Sequence, residues 1–175
     1  TTFVIRVPFR IDTDKVGRIE TEEKQKASIR GLHILLVEDN ELNMEIAEFM
    51  LQNEGAYVTK AWNGQEAVEI FEKSKPDEFD VILMDIMMPV MNGYEATKMI
   101  RSLDRKDAKK ISIIAMTANA FIEDRIRAKE AGMDEHLSKP IVIDEVIRTI
   151  LRCVHFDKEF KNTYSERSVD SCSEV

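Results

Sequence analysis

Between Gly31 and Val154 the spacing of apolar residues switches again and again from a continuous run to a helical stripe, and that alternation predicts the fold. Residues 32–37 (LHILLV) form a short apolar run, suited to a strand buried on both faces. Leu42, Ile46, Phe49 and Met50 then recur at helical spacing until Gly55 stops the helix. Residues 56–61 make a second, more polar strand placed nearer a sheet edge. Asn63 followed by Glu66 reads as a capping box, opening a helix with Ala67, Ile70 and Phe71 on one face. The third strand begins the stretch VILMDIMMP, where Val81 to Met84 run into the carboxylate of Asp85 and then a turn. Asn92 and Glu95 cap a third helix that should bury Ala96, Met99, Ile100 and Leu103. A charged loop, 104–110, leads to the fourth strand, 111–116. The next helix, 120–131, offers only Phe121, Ile122 and Ile126 as apolar anchors, so it should be the least firmly docked. Gly132 ends it, residues 135–137 make a short fifth strand, and Lys139-Pro140 follows. The last helix has the cleanest stripe: Ile143, Val146, Ile147, Ile150, Leu151 and Val154. Five strand–helix pairs in strict alternation predict an α/β domain, a parallel sheet with helices on both faces and right-handed crossovers.

The flanks differ in character. Residues 1–11 (TTFVIRVPFRI) alternate as a strand until Pro8, with no local partner, and are expected to end a preceding domain. Residues 12–30 are mostly charged and polar, a linker; the domain proper is expected over 31–156, followed by a disordered tail, 157–175.

Composition narrows the function. A formal net charge of −8 argues against nucleic-acid binding and against an anionic membrane surface, both of which require basic stripes. No apolar run approaches the ~18 residues of a membrane-spanning helix, and residues 1–11 lack the basic, apolar and small-residue layout of a signal peptide. Cys153 and Cys172 lack metal-type spacing and suit a reducing, cytoplasmic setting. No turn carries GxGxxG or GxxxxGK[ST], so no nucleotide site is expected.

In a parallel sheet every strand ends on the same edge, and open α/β folds bind ligands there. That edge should collect Glu38 and Asp39 from the first strand, Asp85 from the third, Thr117 from the fourth and Lys139 from the fifth. Singly, each has a simpler reading: a solvated turn, a helix cap, an exposed charge. Together they offer three carboxylates, a hydroxyl and an ammonium in one crevice. Like charges 4 Å apart repel by about 4 kcal/mol at an effective dielectric near 20, so the carboxylates must shift their pKa values or take up a cation. A few hard oxygen ligands suit Mg²⁺. A divalent ion beside Asp85 would neutralise phosphoryl oxygens, with Asp85 as nucleophile and Lys139 and Thr117 as donors to the arriving group.

The motifs LLVEDN, DVILMDIMMPVMNG, IIAMTANA and LSKPI, in this order and spacing, resemble the response-regulator receiver domains of two-component signalling. The resemblance covers residues 32–154. It implies a flavodoxin-like doubly wound five-stranded sheet of strand order 2-1-3-4-5, with Asp85 as phosphoacceptor. It also implies Mg²⁺ held by Asp39, Asp85, the Met87 carbonyl and, through water, Glu38. Thr117 becomes the signalling hydroxyl and Lys139 the phosphate-binding lysine, with a cis Lys139-Pro140 bond. The switch position, commonly Tyr or Phe in the family, is His136 here: either a half-exposed strand histidine, or a switch residue whose inward rotation with Thr117 would be pH-sensitive. Residues 1–9 resemble the final strand of a histidine-kinase ATP-binding domain, and the MTANA and SKPI wording is typical of hybrid sensor histidine kinases. The implied partners are a phosphohistidine donor domain, in the same parent chain or a separate kinase, and a histidine phosphotransfer protein. A dimer through the face of the fourth helix, fifth strand and fifth helix is a further expectation. The fragment carries no ATP site of its own; kinase activity would belong to the parent. The rivals are a receiver-like interaction module without phosphoryl turnover, and a Mg²⁺-dependent phosphatase, which would need a second acid where Met87 stands.

Overall fold

The computed structural model describes residues 28–118 and 122–165, of which 122, 123 and 155–165 are described by backbone alone. Five strands, β1 (His33–Val37), β2 (Tyr57–Ala61), β3 (Val81–Asp85), β4 (Ser112–Thr117) and β5 (Glu135–Ser138), alternate with five helices. The helices are α1 (Glu41–Asn53), α2 (Gly64–Lys73), α3 (Gly93–Ser102), α4 (Ile122–Ala131) and α5 (Ile143–Ser165). All strand pairs are parallel and the order is β2-β1-β3-β4-β5. The doubly wound order that the resemblance implied is the order observed.

The period of two sorts strand side chains into two cores. Ile34, Leu36, Val81, Leu83, Ile114 and Met116 meet α1 and α5 on one face. Leu35, Val37, Ile82, Met84, Ile113 and Ala115 meet α2, α3 and α4 on the other. The polar edge expected for β2 is real, since Tyr57, Thr59 and Lys60 are exposed.

Several helix faces and boundaries differ from the sequence expectation. On α1 the buried residues are Met44, Ala47 and Leu51, whereas Leu42, Ile46 and Phe49 are 64%, 45% and 72% exposed. Both triplets fit a helical period, and the chain buries the set with smaller side chains against β1 and β3. Met99 on α3 is exposed and Thr97 takes its inward place, donating to the Gly93 carbonyl. Ile126 is also exposed, whereas Ala128 and Ala131 of α4 are buried; of Ile122 only the backbone is described. Phe121 lies outside the described residues. Ile29, expected in the linker, is fully buried in the α1/α5 core, so the domain starts before Gly31. Helix α5 continues to Ser165, beyond the expected end at 156. Residues 157–165 (DKEFKNTYS) contain no Gly or Pro to stop it, and Asp157 and Lys161 are correctly spaced for an i,i+4 pair. Residues 1–27, with the strand and most of the linker expected there, lie outside the described residues, as do 166–175.

The edge opposite the strand ends is locked by Arg105, in the charged loop after α3. Its guanidinium donates to the carbonyls of Phe71, Glu72, Ser74 and Lys75 at the end of α2. It also makes a fork onto Asp107 at 3.0 and 2.6 Å and lies 4.7 Å over the Phe71 ring. These carbonyls cluster where α2 ends and intrahelical donors run out, and a planar five-donor group suits them better than an ammonium. The Arg105 hydrogen bond holds the Asp107 carboxyl down at about 2 from its ordinary 3.8, with backbone donors adding to it. The folded-state value is depressed, so this stabilisation is complete above the unfolded-state value and is lost as pH falls through about 2. Asp107→Asn should therefore cost stability by about 1–2 kcal/mol at pH 7, after discounting for partial solvent screening. The deficit relative to wild type should shrink between pH 4 and pH 2 in urea titrations. A deficit independent of pH would contradict this assignment.

Candidate functional site

Each strand end delivers its residue for a local reason. After β1 the chain leaves the sheet at Glu38, whose N–H donates to the Ala61 carbonyl of β2. Asn40 then caps α1, accepting from the Asn43 N–H at 3.0 Å. Strand β3 is buried along its whole length and ends on Asp85. The following turn closes on Asn92, which forms a full capping box with Glu95. Gly93 permits that closure: a Cβ there would come within 2.2 Å of the Asp85 carbonyl oxygen. Any side chain at this position would displace the backbone that carries the acid. Val90 in the same turn holds a positive φ of 68°, an outlier for a β-branched residue.

Glu38 and Asp85 are 1% and 5% exposed, and Lys139 lies between them. Its Nζ stands 2.5 Å from Glu38 Oε2 and 2.9 Å from Asp85 Oδ2. The other oxygen of Glu38 accepts from the Asn43 side-chain amide at 2.9 Å, and the Met87 N–H donates to Asp85 Oδ1 at 3.3 Å. Asp39 is exposed at the rim. Oxygens of Glu38, Asp39 and Asp85 lie within 4.8 Å of one another. Burial lifts the Asp85 carboxyl above its ordinary range; the bond to Lys139 and its charge oppose this, and the Glu38 charge adds to it. Burial works against the Lys139 charge, but the hydrogen bonds to Glu38 and Asp85 outweigh it and its net shift is upward. One ammonium thus serves two buried carboxylates, and with Asp39 two formal negative charges remain uncompensated. A compact divalent cation matches that deficit, and all-oxygen donors suit Mg²⁺.

Thr117 ends β4, is buried, and its carbonyl accepts from the Lys139 N–H at 2.8 Å. Its neighbour Met116 pairs in register with Asp85. The Lys139-Pro140 bond is cis, as the resemblance implied. His136 of β5 pairs with Ala115 of β4 and lines a cleft of about 430 Å³ with Arg125, Ile126 and Lys129 of α4. Met87 is among the most exposed apolar residues of the domain. The structure therefore brings Glu38, Asp39, Asp85 and Lys139 together, sets Thr117 at the same edge, and puts His136 on the adjoining α4/β5 face. Asn43 escaped the sequence reading. Its only signal was a polar residue five positions after Glu38, on the first turn of the helix that follows.

The profile of the response regulator receiver domain matches residues 34–151, well over half of the chain. The chain belongs to that family. Among curated relatives, hybrid signal transduction histidine kinase L of Dictyostelium discoideum is 37% identical over 128 residues, covering 73% of this chain and 7% of that protein. Histidine kinase 1 of Arabidopsis thaliana is 35% identical over 163 residues, covering 76% and 14%. The receiver therefore spans only a small part of the relatives it resembles. Among solved structures, the receiver domain of a sensor histidine kinase from Pseudomonas aeruginosa, with a magnesium ion coordinated in its active-site cleft, is 40% identical with a TM-score of 0.65. The match covers 71% of this chain and 98% of that one. The receiver domain of a Saccharomyces cerevisiae response regulator, in complex with a histidine phosphotransfer protein, is 30% identical with a TM-score of 0.62, covering 69% and 87%. Among the described residues no helix is long and apolar enough to cross a membrane.

Proposed function

We propose that this receiver accepts a phosphoryl group from a phosphohistidine onto Asp85, in a phosphorelay whose parent protein is a hybrid histidine kinase. The observation that carries the reading is the buried Glu38–Lys139–Asp85 arrangement with Asp39 open beside it. A solvated turn does not bury two carboxylates around one ammonium, because the desolvation cost is several kcal/mol per ion. An oxygen of Asp85 forms the new O–P bond as the donor's N–P bond breaks, and the imidazole leaves with the electron pair. Lys139 is within reach of the arriving phosphoryl oxygens, and Thr117 supplies a hydroxyl from the neighbouring strand end. Mg²⁺, held by Asp39, Asp85, the Met87 carbonyl and, through water, Glu38, would neutralise charge on those oxygens. The phosphoryl group carries about −1.5 to −2 charges in place of the carboxylate's single one; it draws Lys139 and Thr117 toward it, and α4, whose Ile126 is exposed, is the element that yields. His136, on the face shared with α4, would report that movement.

The reading predicts that incubation with acetyl phosphate and Mg²⁺ adds one phosphoryl group, and that EDTA prevents it. Incorporation indifferent to EDTA would contradict the metal's part in it.

The partner side rests on α1. Its exposed Leu42, Ile46 and Phe49 form an apolar stripe on the helix that starts beside Asp39, and such a patch suits the helical surface of a phosphohistidine protein. Phe49→Glu should slow transfer from a phosphohistidine protein by about tenfold or more while uptake from acetyl phosphate stays near the wild-type rate. Equal slowing of both would remove the stripe from partner recognition. A histidine phosphotransfer protein is the partner class this stripe and the yeast complex jointly favour.

A further inference from the structure

Glu38 is almost wholly buried, and each of its oxygens has one donor: Lys139 on Oε2 and the Asn43 amide on Oε1. We propose that Asn43 is a positioning residue for the cation site, fixing the Glu38 carboxylate in the orientation that leaves Lys139 shared with Asp85. The inference rests on the reading of this edge as a Mg²⁺ site. Three observations support it. First, Asn43 is itself held: its backbone N–H donates to the Asn40 cap, and α1 is anchored one residue further on by Met44. The amide therefore projects from a fixed turn rather than from a loop. Second, Glu38 has three side-chain torsions, and its two hydrogen bonds orient the carboxylate in a crevice that also contains an ammonium and a second carboxylate. Without the amide, Oε1 is a buried acceptor with no partner, and the carboxylate gains by turning toward Lys139 with both oxygens. That turn would draw the ammonium away from Asp85. Third, the donor is neutral. A lysine or arginine at 43 could satisfy Oε1 equally well, but would cancel one of the two uncompensated negative charges on which a divalent cation depends. An amide satisfies the acid and leaves the charge balance of the site intact.

Outer-shell hydrogen-bond partners of metal-ligating groups typically account for about 10–100-fold in metal affinity. The test is a Mg²⁺ titration of the chain followed by the fluorescence of Trp62, which directly follows β2 on the same edge. It is run on wild type, Asn43→Ala, Asn43→Lys, Glu38→Gln and the Glu38→Gln/Asn43→Ala double variant, with urea stability measured in EDTA alongside. Asn43→Ala should weaken Mg²⁺ by about tenfold or more, and Asn43→Lys should weaken it further although it restores a donor. In the Glu38→Gln background, adding Asn43→Ala should change affinity by less than about twofold, because the group it positions is already gone. If Asn43→Ala loses urea stability but binds Mg²⁺ as wild type does, Asn43 is only a helix-terminus residue and the proposal fails. An undiminished effect in the Glu38→Gln background overturns it too. A wild-type chain that takes up no Mg²⁺ would defeat the functional reading itself, and this inference with it. That result is distinct from wild-type binding with an unaltered Asn43→Ala.

Discussion

Lys139→Met should be among the most damaging single substitutions in this domain, and its cost should depend on Mg²⁺. The replacement keeps the apolar stem but leaves Glu38 and Asp85 buried with no cation between them. Removing one partner from a buried ion pair costs about 3–5 kcal/mol, and here one ammonium compensates two acids. Urea unfolding in EDTA at pH 7 should show a loss of that order. Saturating Mg²⁺ should recover part of it, because a divalent ion supplies positive charge to the same oxygens. The sign of the pH dependence follows from Asp85. Its folded-state pKa is already raised, chiefly by burial, and losing Lys139 raises it further. A carboxyl with a raised folded-state value binds protons more readily folded than unfolded, so stability falls as pH rises through that range. The variant's deficit should therefore shrink on acidification. A loss indifferent to both Mg²⁺ and pH would mean that Lys139 acts through packing rather than charge.

Arg105→Ala should produce a comparable loss of stability, about 3 kcal/mol, without touching the chemistry. The substitution strips donors from the carbonyls at the end of α2, unpairs Asp107 and exposes the face of Phe71. Arg105→Lys should rescue little, because a point charge cannot reach four carbonyls and fork onto a carboxylate at once. Helix α2 ends on the edge opposite the strand termini. Phosphoryl uptake by the folded variant at low temperature should therefore match wild type, while its urea midpoint is much lower. A matching loss of uptake in protein shown to be folded would connect the two edges in a way that this fold does not explain.

These residues also show what could be read from the chain alone. The gathering of Glu38, Asp39, Asp85, Thr117 and Lys139 was legible because a parallel sheet brings all strand ends to one edge, so predicting strands was enough to predict that they lie together. The face of α1 was not. Leu42, Ile46 and Phe49 repeat as faithfully as Met44, Ala47 and Leu51, and periodicity has no term for which stripe the sheet will accept. The larger side chains stayed outside and became the strongest candidate for a partner surface. Ile126 on α4 repeats the lesson at smaller scale. Arg105 and Asn43 were missed for a different reason: their partners are chosen by tertiary approach. Arg105 meets carbonyls thirty or more positions away, and Asn43 matters only once Glu38 is seen to be buried with one oxygen unserved.

The central claim is that Asp85 is the acceptor. Wild type and Asp85→Asn should be incubated with acetyl phosphate and Mg²⁺, treated with borohydride to convert any acyl phosphate to an alcohol, and mapped by peptide mass spectrometry. Reduction confined to Asp85 in wild type, with no modified peptide in Asp85→Asn, is the predicted result. A modified Glu38 or Asp39 in wild type, or uptake that persists in Asp85→Asn, would contradict it.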